Sequence, residues 1–245
     1  MTTTGLIVPL RSEAFYLLGR RGWRSSAGFR RLDVRRNGEL AMICICSGVG
    51  PEKAAAAASA LIETGAELLA VAGTAGGLHP ALRPGDLVLA DRILKKEGEK
   101  VSVVGETAWR HARELLKPSA GIRILRGAVL TCSVVIETAA EKQYLHQQTR
   151  ALAVDMESAA VVQAAARQGL PAMVIRAVCD TSTESLPREI LDTIDHKDRV
   201  RAARLAGALL HRPALIPALV RLNTQFKAAM AALKKKLPLL SDYPM

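Results

Sequence analysis

The 245-residue sequence has few aromatics, few cysteines and no long apolar run. Phe, Tyr and Trp make up only 3% of it, so its 49% hydrophobic content comes mainly from Ala, Val, Leu and Ile. With so few rings, recognition of single-stranded nucleic acid by aromatic stacking is disfavoured. The four cysteines, Cys44, Cys46, Cys132 and Cys179, stand in apolar stretches. No second cysteine pair or histidine spacing completes a zinc site, so they read as buried, reduced thiols and no metal is expected. No apolar stretch approaches the roughly 20 residues of a membrane span. Thr2-Thr3-Thr4 leads straight into Gly5-Leu6-Ile7-Val8 without an export signal, and a cytoplasmic location is expected.

Acidic residues are also scarce, in one region above all. The formal net charge is +11, and from Arg199 onward the only acid is Asp242. That tail reads as two helical stretches separated by His211-Arg212-Pro213. In the second, Leu215, Leu219, Leu222, Phe226, Met230 and Leu233 recur at helical spacing, with Arg221, Lys227 and Lys234 to Lys236 off the stripe. A basic amphipathic helix of this kind docks on its own domain or lies on an anionic membrane. We therefore divide the chain into a main domain, 1–211, and a basic helical tail, 212–245. A nucleic-acid partner is not expected, because nothing outside the tail supports one.

The rest of the chain alternates strand and helix signals. Leu6 to Val8 reads as a strand, followed by a helix to about Gly19. Phe29 to Arg35 and Leu40 to Cys46 form a hairpin across Asn37-Gly38. Ser47-Gly48-Val49-Gly50-Pro51 breaks the second strand, and the run Ala54 to Ala58 opens a helix ending near Gly65. The turn is no dinucleotide fingerprint, since Lys53 stands where a third glycine belongs, so it reads as scaffold. Leu68 to Ala72 is a strand leading to Gly73-Thr74-Ala75-Gly76-Gly77-Leu78, whose glycines allow backbone amides to approach a ligand. Further strands are expected over Asp86–Leu94 and Ile122–Thr131, with a helix from about Glu106 to Leu116 between them.

The most informative stretch is Val154-Asp155-Met156-Glu157-Ser158-Ala159-Ala160. A short apolar strand, Ala151 to Val154, delivers Asp155 to Glu157 at its end. A helix over Ser158–Arg167 follows, stopped by Gly169-Leu170-Pro171. The strand Ala172 to Val178 then delivers Asp180 just past its end. Read as a parallel crossover, this unit brings Glu157 and Asp180 out at one carboxyl edge of the sheet, where open α/β folds bind ligands.

The stretch Val154 to Pro187 resembles the signature of the nucleoside phosphorylase/nucleosidase superfamily, with Asp155 where those proteins carry a first glutamate. Gly73 to Leu78 and Arg83-Pro84-Gly85-Asp86-Leu87-Val88 resemble two further family motifs. The resemblance implies a single-domain, three-layer α/β/α fold with a central mixed, twisted sheet, here with the helical tail added. It implies cleavage of the N-ribosyl bond of a small-molecule nucleoside, with no metal or organic cofactor, by a homo-oligomer.

By the same resemblance, Asp180 protonates the leaving purine at N7 and Glu157 grips the ribose hydroxyls beneath Met156. Thr74, Ala75 and Gly76 line the site, and Val135 and Ile136 flank the base. The nucleophile stays open. Glu13 matches a water-activating glutamate, whereas Arg11, in Pro9-Leu10-Arg11, resembles a phosphate-binding arginine that would admit phosphate as co-substrate. A companion phosphate arginine is missing, since Val71 and Ala72 stand in its region, which favours Glu13 and water. Arg176 either positions the nucleophile or forms a structural salt bridge.

Within the superfamily the core Val154–Val161 and the basic tail are most similar to the hopanoid-associated group. That similarity implies release of adenine from adenosylhopane to give ribosylhopane, with peripheral contact of the tail at the inner face of the membrane. Cleavage of methylthioadenosine or S-adenosylhomocysteine, purine nucleoside phosphorolysis, and a non-catalytic nucleoside- or lipid-binding module are the alternatives. The last predicts loss of a catalytic acid, and both Glu157 and Asp180 are present.

Overall fold

A computed structural model describes residues 3–109, 117, 121–193 and 201–237. In chain order the elements begin β1 (Thr4–Val8), α1 (Arg11–Leu18), β2 (Arg24–Ser26), β3 (Phe29–Arg36), β4 (Glu39–Cys46) and α2 (Pro51–Glu63). They continue with β5 (Leu68–Gly77), β6 (Leu87–Glu97), β7 (Lys100–Glu106), β8 (Ile124–Thr131), α3 (Ala139–Thr149) and β9 (Ala153–Asp155). Last come α4 (Ser158–Arg167), β10 (Ala172–Asp180), α5 (Arg188–Leu191), α6 (Ala202–His211) and α7 (Leu215–Lys236).

The strands join in one mixed sheet with helices on both faces, the expected three-layer arrangement. Period-two alternation sorts its side chains. Ile7, Ile43, Ile45, Leu69, Val71 and Val174 face one way, against Ala54, Ala57, Ala58 and Leu61 of α2 and Val161, Val162 and Ala165 of α4. Leu6, Val8, Met42, Cys44, Ala70 and Ile175 face the other, against Ala14 and Leu17 of α1 and Ala229, Met230 and Leu233 of α7. Alanine on the helices lets them lie close to a sheet already filled by branched side chains. The helical stripe read in the tail is therefore turned toward the domain, with Leu215, Met230 and Leu233 buried, while Ile216 and Val220, off the stripe, are exposed.

Strand direction departs from the sequence reading. β1, β4, β5 and β10 run parallel, and so do β6, β8 and β9, but the two groups oppose each other. β9 pairs antiparallel with β5 (Gly76 opposite Val154), and β10 pairs antiparallel with β6. The β9–α4–β10 unit is thus not a parallel crossover. The reason is ring closure: β5, β10, β6, β8 and β9 pair in a circle, which removes edges that a flat sheet would leave exposed.

Three smaller readings also change. β5 runs on through the glycines to Gly77, past Ala72 where the strand was expected to end. Asp180 is the last residue of β10 and not just past it. Glu106 ends strand β7, Thr107 and Ala108 are irregular, and 110–116 of the expected helix lie outside the described residues.

Candidate active site

A cleft of about 630 Å³ opens where β1, β4, β5 and β10 end, closed on the far side by the chain leaving β9. Its polar groups form two separate clusters.

The first cluster is built around Arg176. This side chain is completely buried in the middle of β10, an expensive place for a charge unless carboxylates surround it. Asp155 meets it at both Nε (2.7 Å) and Nη2 (2.6 Å). Glu157 Oε2 lies 3.4 Å from Nη2, and Ser158 Oγ lies 3.2 Å from it. Asp155 is held in turn by Thr131 Oγ1 at 2.7 Å and by the Ser158 hydroxyl. Burial opposes the charge on Arg176, but Asp155, Glu157 and Glu13 together hold its pKa above the ordinary value.

Glu157 projects from the end of β9 just before α4. Its Oε1 accepts the Gly50 amide at 3.0 Å. Gly50 has φ of 107°, a conformation that favours glycine, so the Ser47–Gly50 turn contributes a donor to the site and is more than scaffold. Burial, with Asp155 and Glu13 nearby, pushes the Glu157 carboxyl up to about 7, although Arg176 opposes the shift.

Glu13 comes from the first turn of α1 and is 1% exposed. Its Oε1 accepts from the amide (2.7 Å) and hydroxyl (2.6 Å) of Thr74, and its Oε2 accepts from the Leu10 amide at 3.2 Å. Burial still raises its pKa; the Thr74 and Leu10 donors and the Arg176 charge only offset it. A side chain at Gly73 would place Cβ 2.9 Å from both Arg176 Nη1 and Glu13 Oε2. Only glycine leaves room for the two groups to face the same space. There, Arg176 Nη1 is buried without a hydrogen-bond partner among the described residues.

The second cluster lies toward Asp180, which is buried and paired with the ammonium of Lys142 from α3. The Cys179 thiol sits beside it, 3.2 Å from Asp180 Oδ1 and 3.5 Å from Ala75 O. Burial and the adjacent carboxylate push the Cys179 pKa well up, which keeps it a thiol. Val134 and Val135 are exposed at the mouth, while Ile136 is buried beneath them. Among the described residues, no group of three His, Cys, Asp or Glu is placed to hold a metal ion.

Residues 23–211 match the Phosphorylase superfamily, well over half of the chain. The chain belongs to the phosphorylase superfamily. Curated relatives include the 5′-methylthioadenosine/S-adenosylhomocysteine nucleosidases of Geobacillus thermodenitrificans and Geobacillus kaustophilus, 28% and 27% identical over 159 residues. Those alignments cover 58% of this chain and 67% and 68% of the relatives. In fold, the chain is similar to futalosine hydrolase of Helicobacter pylori strain 26695, with a TM-score of 0.73 at 16% identity over 98% of this chain and 97% of that one. It is also similar to the Neisseria meningitidis nucleosidase solved with methylthio-immucillin-A, with a TM-score of 0.72 at 18% identity and 98% coverage of both.

In this superfamily member the residues singled out from sequence are largely brought together. Glu13, Thr74, Ala75, Gly76, Val135, Ile136, Met156, Glu157 and Asp180 all line the cleft, with Arg176 behind its wall. Arg11 is not on that wall; its guanidinium lies 5.6 Å from the centroid of the Phe15 ring. Sequence reading missed the supporting parts played by Asp155 and Gly50, and it missed Lys142 altogether. Asp155 carried a usable signal, an acid two residues before Glu157 with an arginine on the next strand. Lys142 carried none, because Glu141-Lys142-Gln143 reads as a solvated helix face.

Proposed function

We propose that this protein is an N-ribosyl hydrolase that releases adenine from a nucleoside with water as the nucleophile. The observation that carries this reading is the unpartnered Arg176 Nη1, which faces the same space as the Glu13 carboxylate across Gly73. A buried donor without a partner costs about 1–3 kcal/mol, so a ligand oxygen that accepts from it is favoured there. A water molecule accepts from Arg176 and donates to Glu13, whereas phosphate would bring a further negative charge beside Glu13 and Glu157. The position of Arg11 away from the cleft also favours water over phosphate.

In this reading the C1′–N9 bond breaks, its electron pair goes to the purine, and positive charge develops on the ribose. Asp180 gives a proton to the leaving base at N7. Glu157, ionised, accepts from the ribose hydroxyls and stabilises the cation beside it. Water adds to C1′ and passes its proton to Glu13. The protein itself supplies the acid, the base and the charge stabilisation.

Adenosylhopane is our proposed substrate. The apolar mouth at Val134 and Val135 suits an apolar group carried on the ribose, and exposed Leu210, Ile216 and Val220 stand on α6 and α7 among basic residues. That surface would rest on an anionic bilayer while the cleft takes the lipid-linked nucleoside. Among the described residues, no helix is long and apolar enough to cross a membrane. The second reading, methylthioadenosine or S-adenosylhomocysteine cleavage, is favoured by the curated relatives. We further propose a homo-oligomer.

The test is adenine release from methylthioadenosine and from adenosylhopane in mixed micelles, each with and without phosphate. The expected result is efficient release from the lipid substrate, independent of phosphate, with methylthioadenosine a slow but measurable substrate. Efficient release from methylthioadenosine would replace the lipid assignment, and a requirement for phosphate would overturn hydrolysis. No release from either would remove the catalytic reading.

A further inference from the structure

Lys142 is among the most deeply buried charged residues, with 0% exposure, and the reaction sequence above gives it no part. It reaches from α3 into the end of β10. Its ammonium donates to Asp180 Oδ2, to Glu184 O at 2.7 Å and to Thr181 O at 3.2 Å. All three ammonium protons are thus used, and all three acceptors belong to Asp180 and the loop that follows it. A surface lysine in a helix made for solubility would not be drawn inside in this way, because burying an ammonium costs several kcal/mol unless it is fully paired.

The other side of Asp180 is apolar or neutral. Cys179 offers a thiol at Oδ1, and β5 contributes Gly76. The Glu184 carboxylate is turned away to Thr181, Gln225 and Arg221. The remaining charged groups, Glu13, Glu157, Asp155 and Arg176, belong to the cluster around Arg176, of which Glu13 is near enough to act on the Cys179 thiol. Lys142 is therefore the cation in contact with Asp180 among the described residues.

From this arrangement we infer that Lys142 is a positioning residue for leaving-group departure: it holds Asp180 with Oδ1 toward the base and stabilises the carboxylate that remains once the proton has left. The inference rests on the nucleosidase reading of the cleft. The C1′–N9 electron pair moves onto the purine, the purine takes the proton from the Asp180 carboxyl, and Asp180 becomes a carboxylate. The structure places Lys142 Nζ on Asp180 Oδ2, and after the transfer that contact joins an ammonium to a carboxylate. Before it, the pair carries one more proton and a net positive charge. Transfer of that proton leaves a neutral ion pair, so Lys142 favours the direction in which the acid must discharge.

The role is separable from general structural support, because it is needed only when the leaving group requires a proton. 4-Nitrophenyl riboside has a leaving group that departs as an anion, while methylthioadenosine needs its adenine protonated. Lys142→Met is expected to lower kcat on methylthioadenosine by about 10- to 100-fold, in the range of a general acid–base contribution, with KM nearly unchanged. On 4-nitrophenyl riboside the same variant should stay within about threefold of wild type, as expected for a proton-transfer contribution that this substrate does not use. Lys142→Arg, which keeps the charge, should recover much of the loss. In an Asp180→Asn background Lys142→Met should cost nothing further, since the two act as one unit.

Should Lys142→Met fail to fold, Lys142→Gln keeps a donor for the loop carbonyls without the charge and gives the same comparison. Equal loss on both substrates, or additive loss in the double variant, would reduce Lys142 to a structural staple and overturn the inference. If wild type itself releases no adenine, the nucleosidase reading fails instead.

Discussion

The two ends of the cleft solve the problem of buried charge in opposite ways. Toward Asp180, one carboxylate meets one ammonium and the charges cancel locally. Around Arg176, three carboxylates (Asp155, Glu157 and Glu13) share a single guanidinium. The second arrangement is not balanced if all three acids are ionised, and the imbalance shows in the two acids that Arg176 neutralises least. Glu157 is pushed up to about 7 and Glu13 is raised as well. Asp155, gripped at two guanidinium nitrogens, is the structural counter-ion. At one end a cation stabilises the carboxylate that a departing proton leaves, and at the other burial favours the protonated form of the acids.

The comparison is broken most severely at Arg176. Arg176→Met leaves Asp155 and Glu157 buried without their cation, and loss of one partner from a buried ion pair costs about 3–5 kcal/mol. We expect a fall in stability of that size, measured as a lower urea midpoint with little change in slope, together with loss of activity. A small change would mean that Asp155 is held chiefly by Thr131 and Ser158.

Glu13→Gln should separate chemistry from stability. It removes the proposed base, so kcat should fall by roughly 10²- to 10⁴-fold. Stability should hold or rise, because the raised pKa shows that burial penalises the charged form. A variant that lost stability but kept kcat would move the base elsewhere in the cluster.

How much of this imbalance was legible beforehand depended on whether its parts lay within one sequence motif. Glu157 and Asp180 stand at strand ends, so pattern alone identified them, while the supporting part of Asp155 was not read from the run that contains it. Glu13 and Thr74 were identifiable only through resemblance, since no local periodicity marks a glutamate in a first helical turn as catalytic. The direction of β9 was not legible. A three-residue strand has too few pairings to declare its partner, and closure of the ring of five strands decides its direction. Lys142 was hidden for a related reason: its burial is set by where α3 docks, and its neighbours in sequence are exposed.

The pH dependence sharpens the contrast further. The Glu157 pKa rises on folding, so the protonated form is the one favoured by the native state. Its contribution to stability is complete below the ordinary value of 4.5 and is lost as pH rises through about 7. The Glu157→Gln variant titrates nowhere in this range, so its stability relative to wild type should improve steadily from pH 5 to pH 7.5. Activity should run the other way. With Glu157 ionised to hold the ribose, kcat/KM should rise through about pH 7 in wild type. A flat stability difference would place the raised pKa on another group.

The smallest expected effect concerns Thr74, whose hydroxyl is one of two donors to Glu13 Oε1. Thr74→Val keeps the shape and the amide donor but removes the hydroxyl, a loss of about 1 kcal/mol for a hydrogen bond to a charged group that keeps its other partners. The ionised form of Glu13 loses most, so its pKa should climb further. The rising limb of the kcat profile should then shift upward by less than about one pH unit, with the plateau nearly unchanged. Thr74 reaches the Cys179 thiol but makes no hydrogen bond to the Asp180 carboxylate, so the Asp180 end should not respond. The rate on 4-nitrophenyl riboside, which needs Glu13 but no proton from Asp180, should therefore move by the same amount as the rate on methylthioadenosine. Equal shifts on the two substrates would show that the clusters titrate independently. Unequal shifts would mean that protonation at one end is felt at the other.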